Sequence, residues 1–383
     1  MDNLTHTLFA ITLRRTALGR AGRGATAALV IASNAPDVDI VTTAGGAVSY
    51  LRWHRGPTHG PIGIVSLGII TAALVWLWPR ATATLAARKG QAPPLVQTPS
   101  NPYARFHVLV GLSIVGVILH VLMDLPTSYG TRLLSPFDWH WYAFDWLPII
   151  DIYVLIVLIA GLAFGRASEE ARRRNAAIAL VLMAANYGLR AESHHQALAL
   201  APRLFGPALP SPCGSEADAP PVIDRWPRDR STAAATRHEG RRCLIELAAI
   251  PTFASPFHWR IIAQMSNAYE IHDVDLLDPR VRHAAGDSPA LWRVTRRFPN
   301  EWTPAVEHAA AASVVAQTFF GFSRFPRVRS FVDGQGVAVV SWTDMRFVVD
   351  PVALDQPVRR PSPFTATVRL AADGRVLQQS LGR

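Results

Sequence analysis

The chain carries little charge and almost no cysteine: 17% of its 383 residues are Asp, Glu, Lys or Arg, and only Cys213 and Cys243 are thiols. It has no Gly-rich phosphate loop, no Gly-x-Ser-x-Gly elbow and no Cys-x-x-Cys pair. Nucleotide hydrolysis, serine hydrolysis and thiol redox chemistry therefore have no support. No internal repeat is apparent. What the chain has instead is apolar sequence: half of its residues are hydrophobic, and they crowd into the first half.

Four segments read as membrane spans, Gly24 to Val41, Pro61 to Trp78, Phe106 to Leu125 and Trp146 to Phe164, with a weaker fifth over Asn175 to Arg190. Each strong segment is about long enough for a hydrocarbon core of roughly 30 Å. The shorter run Leu4 to Leu13 lacks the basic start and Ala-x-Ala site of a signal peptide and reads as a retained helix capped by Asp2 or Asn3. The net charge of +10 suggests nucleic acid until the positions are placed. Arg14, Arg15, Arg20 and Arg23, then Arg80, Arg88, Lys89 and Arg105, then Arg166 with Arg172, Arg173 and Arg174, mark alternate loops as cytoplasmic. The charge is mostly a topology signal, and no nucleic-acid partner is expected. The loops Thr42 to Gly60 and Pro126 to Asp145, and the tail if the fifth segment spans, fall on the extracytoplasmic side. There the two cysteines could pair or stand as free structural thiols.

Prolines and charges replace the apolar runs from about Ala201. The expected fold is a multi-span α-helical membrane bundle over residues 1–195, a linker or irregular loop over 196–245, and a soluble α+β domain over 246–383. Strands are predicted at Trp259 to Met265, Val328 to Val332, Val337 to Trp342, Met345 to Val349 and Thr365 to Leu370, with turns at Asp333-Gly334 and Asp373-Gly374 and a helix over Pro304 to Thr318.

His120 and Asp124 end the apolar third span, one helical turn apart on one face. Ionisable groups at membrane depth are costly and point to function. Asp37 and Asp39 follow the helix-breaking Pro36, and in an extended or turn segment both would face one ion. His54 and His59 flank a Gly-Pro turn, and His6 sits at the outer end of the first helix. All of these groups come out on one side. Imidazoles with carboxylates suit a divalent metal ion, Zn²⁺ first and Mn²⁺ or Fe²⁺ after it. Blander roles exist: Asp37 and Asp39 as helix caps, His54 beside Trp53 as an interfacial residue, and Arg55 as a headgroup anchor rather than a substrate ligand.

Met-Asp-Asn-Leu-Thr-His6, Asn34-Ala-Pro-Asp-Val-Asp39, His54-Arg-Gly-Pro-Thr-His59 and His120-x-x-x-Asp124, followed by Thr127-Ser-Tyr-Gly-Thr131 and Pro136-Phe137, resemble the membrane-bound metal-dependent hydrolases of the YdjM type over residues 1–165. The resemblance implies a multi-pass protein of the bacterial inner (cytoplasmic) membrane. It implies metal or active-site roles for His6, Asp37, Asp39, His54, His59, His120 and Asp124, with support from Thr127 and Gly130. Gly60 stands where a small hydroxyl residue is usual, and Pro126 interrupts the following turn. The order of ligands also resembles part of the zinc-dependent phospholipase C and P1 nuclease pattern, a hint toward phosphoesters. The expected chemistry is hydrolysis of a lipid or other interfacial ester by metal-activated water, with Asp39 as general base and Arg55 stabilising charge on the substrate, at one metal or two. A metal-ion or proton transporter and a noncatalytic scaffold are the alternatives. The ionisable groups concentrate at one depth, which favours the enzyme. Membrane lipids are the expected partners, and the sequence sets no oligomeric state.

Overall fold

The computed structural model describes residues 1–89, 103–164, 168–205, 209–213, 223–227, 242–282, 295–300, 302–348 and 364–382. The chain divides into two compact units, Met1–Ile40 with Arg55–Arg190, and Val41–His54 with Ala191–Arg383.

The first unit is helical. Asp2 starts α1 (Asn3–Arg14) by accepting from the Thr5 N–H at 3.0 Å. After it comes α2 (Ala25–Ala32), which stops before the Asn34-Ala35-Pro36 break, and the chain continues as a 3₁₀ stretch from Ala35 to Gly45. Helix α3 (Gly46–Trp53) lies in the second unit. Pro61, pre-set for a first turn, opens α4 (Pro61–Arg88). Then come α5 (Phe106–Asp124) and α6 (Ile152–Ala163), the latter capped by the Asp151 carboxylate accepting from the Tyr153 and Val154 N–H groups. The long α7 (Glu169–Leu204) runs from this unit into the second.

Among the described residues, α4 and α5 are long and apolar enough to cross a membrane, and α6 is a shorter apolar helix. The sequence predicts four spans; the structure supplies two candidates. The first predicted span fails because α2 has eight residues, about 12 Å of rise. The fourth shortens to the twelve residues of α6, about 18 Å. Helix α5 is the centre of the unit, packed against α4, α2 and α1. Its approach to α2 is close at Gly116, where a Cβ would lie 2.8 Å from the Ala32 Cβ. Small residues at such contacts let helix backbones meet without a solvent-driven hydrophobic force. Outward, α4 exposes Val65, Ile69, Ile70, Leu74 and Leu77, an apolar face suited to lipid.

The second unit is α+β. Strands β1 (Leu244–Pro251), β2 (His258–Met265), β3 (Ala268–Asp275) and β4 (Arg296–Pro299) form one antiparallel meander, and β5 (Pro326–Val332), β6 (Ala338–Asp344), β7 (Thr365–Leu370) and β8 (Val376–Leu381) form a second. Strand β2 buries one whole face and Ile262 on the other. Trp259, Ile261, Ala263 and Met265 meet Ala197, Ala201 and Leu204 of α7, while Ile262 turns to Phe325 and Met345. That is why apolar Ile261, Ile262 and Ala263 stand consecutively at its centre. The predicted helix over Pro304 to Thr318 is two, α8 (Pro304–Ala312) and α9 (Val314–Phe320), broken where the Ser313 hydroxyl caps the second by accepting from the Ala316 N–H. Helix α3 packs on α9, and its Val48 joins Phe319, Phe320 and Trp342 in the core of the second sheet. The predicted strand from Met345 is a single 3₁₀ turn over Met345–Phe347, since the Asp344 carboxylate accepts from both the Arg346 N–H and its guanidinium. Within the predicted linker, α7 continues to Leu204, and most of the remainder lies outside the described residues. Cys213 and Cys243 form a disulfide.

Candidate metal centre

Four predicted ligands converge in the first unit: Asp37, His59, His120 and Asp124. His120 and Asp124 end α5 with fully buried side chains. The His120 Nδ1 lies 2.8 Å from the Ser33 carbonyl oxygen at the end of α2. A carbonyl can only accept, so Nδ1 carries the proton and Nε2 of the neutral ring presents a lone pair. His59 is placed by the turn before α4, where its own N–H donates to the Gly56 carbonyl at 2.9 Å. Its Nδ1 lies 3.0 Å from Thr58 Oγ1, which leaves Nε2 for the centre. Gly60 is required just after it, because a Cβ there would sit 1.7 Å from the Ser135 carbonyl oxygen. The absence of a hydroxyl residue at that position therefore has a steric cause.

The His59 Nε2 is 3.2 Å from His120 Nε2, 3.7 Å from Asp37 Oδ1 and 3.5 Å from Asp124 Oδ2; His120 Nε2 is 3.6 Å from that Asp37 oxygen and 3.5 Å from that Asp124 oxygen. All four atoms lie within 4.8 Å of one another. Four ligands at zinc-like bond lengths on a tetrahedron have edges of roughly 3.3–3.6 Å. Two imidazole lone pairs and two carboxylate oxygens crowded together away from water repel one another without a cation between them. The residues fit a divalent ion, and the mixed nitrogen and oxygen donors suit zinc, manganese or iron.

The other predicted residues surround this group. His6 on α1 stacks on His120 with ring centroids 3.9 Å apart, and its Nε2 is 3.3 Å from Asp124 Oδ1, which the Met1 amino group also meets. Among the described residues neither ring nitrogen of this buried imidazole has a hydrogen-bond partner, as expected of a group that completes its valence with a cation. Asp39 stands apart from Asp37. The 3₁₀ stretch advances about 120° per residue, so residues two apart diverge. Asp39 consequently lies on the Nδ1 side of His59, its Oδ2 3.9 Å from that nitrogen, and accepts from the Arg55 N–H at 2.7 Å. His54 caps α3 in the second unit and stacks on Tyr50 at 4.4 Å.

Arg55 is 4% exposed and has a left-handed φ of 49°, a conformation that costs a non-glycine residue roughly 1–2 kcal/mol. Its guanidinium lies 3.1 Å from Asp124 Oδ2, donates to the Gly130 carbonyl at 3.0 Å, and rests over the Tyr129 ring at 4.8 Å. The Thr127 hydroxyl donates to the Asp124 carbonyl at 2.7 Å. Thr127 and Gly130 thus support the site through Arg55 and the end of α5. Ser33, Thr58 and Tyr129 received no role from the sequence, although Thr58 and Tyr129 lie inside the quoted motifs; a backbone carbonyl, a hydroxyl and a ring face carry no spacing signal.

Past the turn, Arg132 donates its N–H to the Arg55 carbonyl at 3.1 Å and rests its guanidinium over Trp141 at 4.4 Å. Burial lowers its pKa to about 10, so it stays charged at neutral pH. Burial alone would raise the Asp138 carboxyl, but hydrogen bonds from the His140 backbone and ring and from the Tyr142 hydroxyl hold it well below the usual range.

The YdjM inner membrane protein family matches residues 1–197. The chain is also 27% identical over 136 residues to the uncharacterized protein YfhP of Bacillus subtilis (strain 168), a match covering 36% of this chain and 35% of that one. The chain thus spans about a third of that relative's length. No solved structure matches.

Proposed function

The chain belongs to the YdjM inner membrane protein family, and from that premise we propose that it is a membrane-bound metal-dependent hydrolase of ester or phosphoester bonds in a lipid or other interfacial substrate. The observation that carries this reading is the cluster of Asp37, His59, His120 and Asp124, whose ligand atoms lie within 4.8 Å of one another, with both Nε2 atoms 3.2–3.7 Å from each other and from the two carboxylates. Zinc is the first candidate ion. A divalent ion held there would activate water near neutral pH and polarise an ester or phosphoryl oxygen, provided that a fifth position opens beside the partly exposed Asp37.

The protein's own groups then have distinct tasks. Of the four, the Asp37 side chain alone is partly exposed, at 17%, against none for the other three. The substrate and its water would approach on that side. Val38 and Ile40 beside it are exposed and apolar, as are Leu134, Trp139 and the 77% exposed Phe137 of the following loop. Exposed apolar residues next to Asp37 in the chain and in the loop after α5 favour an acyl or interfacial substrate over a freely soluble one. Arg55 works behind the ligands, balancing the Asp124 charge.

An extracytoplasmic site is part of the proposal. The Cys213–Cys243 disulfide favours an oxidising compartment for the second unit, and Val41–His54, the loop between Asp39 and Arg55, belongs to that unit. The test is turnover of phospholipid, phosphomonoester and carboxylic ester by detergent-purified, metal-loaded protein. Hydrolysis that is lost in His120→Ala and Asp37→Asn supports the reading. No hydrolysis, with the ion accumulating inside proteoliposomes instead, replaces it with a transporter.

A further inference from the structure

We propose that Asp39 is a positioning residue, a clasp that fixes Arg55 and His59 so that the His59 Nε2 meets the other three ligands. The inference rests on the reading that Asp37, His59, His120 and Asp124 hold a divalent ion.

The argument starts from chain path. Asp37 and His59 both belong to the first unit, but the segment between them, Val41–His54, belongs to the second, where α3 packs on α9. Two ligands of one ion therefore lie on either side of an excursion into the other unit, and the register between its two ends sets where both ligands stand. The Asp39 carboxylate ties those ends. It stands one residue before the excursion's threshold at Ile40, is buried, and accepts from the N–H of Arg55, the first residue after it, at 2.7 Å.

Backbone geometry gives the clasp its second task. Arg55 holds a left-handed φ of 49° that a side-chain-bearing residue keeps only when its surroundings over-determine it. Its N–H is held by Asp39, its carbonyl accepts from the Arg132 N–H at 3.1 Å, and its guanidinium donates to the Gly130 carbonyl at 3.0 Å. That conformation aims the Gly56 to His59 turn, which closes with the His59 N–H on the Gly56 carbonyl at 2.9 Å. The hold comes from the Nδ1 side of the imidazole, where Asp39 Oδ2 lies 3.9 Å from Nδ1, away from the other ligands.

An asparagine at position 39 keeps an oxygen that can accept the Arg55 N–H, whereas an alanine keeps nothing. A metal ligand or a general base would need the carboxylate itself. The experiment uses the full chain in detergent, loaded with Co²⁺. Affinity is measured by chelator competition, and the visible ligand-field spectrum reports the geometry of the bound ion. The wild type should bind Co²⁺ and His120→Ala should not. Asp39→Ala should weaken binding by roughly 10–100-fold with an altered spectrum, and Asp39→Asn should restore affinity to within about threefold with the wild-type spectrum.

Equal loss in Asp39→Asn and Asp39→Ala would overturn the clasp and make the carboxylate a ligand. Wild-type affinity and spectrum in Asp39→Ala would overturn it too. If Asp39→Ala does not fold, Asp39→Asn decides alone, since loss of Co²⁺ from a folded Asn variant contradicts the proposal. A wild type that binds no Co²⁺ overturns the metal reading itself, and this role with it.

Discussion

Replacing Arg55 by methionine keeps most of the stem and removes the guanidinium, which makes the charge balance around Asp124 measurable. The Asp124 side chain is fully buried, and Arg55 Nη2 lies 3.1 Å from its Oδ2. Removing one partner of a buried pair costs about 3–5 kcal/mol because a carboxylate is left in a low-dielectric interior. The lower end applies, since the Met1 amino group meets the other oxygen of the same carboxylate and offsets part of its charge. In chelator, Arg55→Met should therefore unfold with a stability about 3 kcal/mol below wild type. A bound divalent ion puts a second cation beside Asp124 and relieves much of the penalty, so saturating Zn²⁺ should stabilise the variant more than the wild type. Denaturant titrations of the detergent-solubilised chain, with chelator and with Zn²⁺, give both numbers. Equal stability of the two proteins in chelator would refute the reasoning, and so would an equal gain from Zn²⁺.

Three further outcomes follow from particular contacts. Gly60→Ser drives a Cβ to 1.7 Å from the Ser135 carbonyl oxygen, so the backbone on which His59 sits must move; the variant should lose about 1–3 kcal/mol and bind Zn²⁺ more weakly, as read by thermal unfolding and metal titration. Burial lowers the His194 pKa from 6.5 to about 4, although Asp224 works against the shift. The unfolded chain then binds the proton more readily, so this stabilisation is complete above pH 6.5 and fades as pH falls toward 4. Between pH 7 and pH 5 the second unit should lose at most about 2 kcal/mol, a slope that His194→Gln should flatten. Mutating both Cys213 and Cys243 to serine opens a loop with a sequence separation of 30, for which chain entropy predicts a loss of about 3–4 kcal/mol; unchanged unfolding of the variant would mean that the bridge constrains nothing.

The convergence of four candidate ligands was more legible in the sequence than the fold around them. The i, i+4 spacing of His120 and Asp124 survives any helix packing, because one helix supplies both groups. His59 was readable from its Gly-Pro turn. The Asp37 and Asp39 pairing was not, since sequence marks a break at Pro36 without saying whether the chain continues extended or as 3₁₀, and that choice decides whether the two carboxylates converge. His54 resembles His59 on paper, but its segment folds with α9, a long-range contact that no local pattern records. Hydropathy likewise counted Gly24 to Val41 as one span, although the backbone abandons the α-helix after Ala32. In the second unit the strand at Thr365–Leu370 was readable, and the turn at Met345 was not, because the Asp344 carboxylate rather than side-chain alternation sets the backbone there.

The central claim is that four residues hold one divalent ion, and the most direct test is metal content by elemental analysis of the detergent-purified chain and its His120→Ala variant. The account predicts about one equivalent of zinc, manganese or iron per wild-type chain and close to none in the folded variant. Equal metal in both proteins, or none in the wild type after growth and purification with added Zn²⁺, would contradict it.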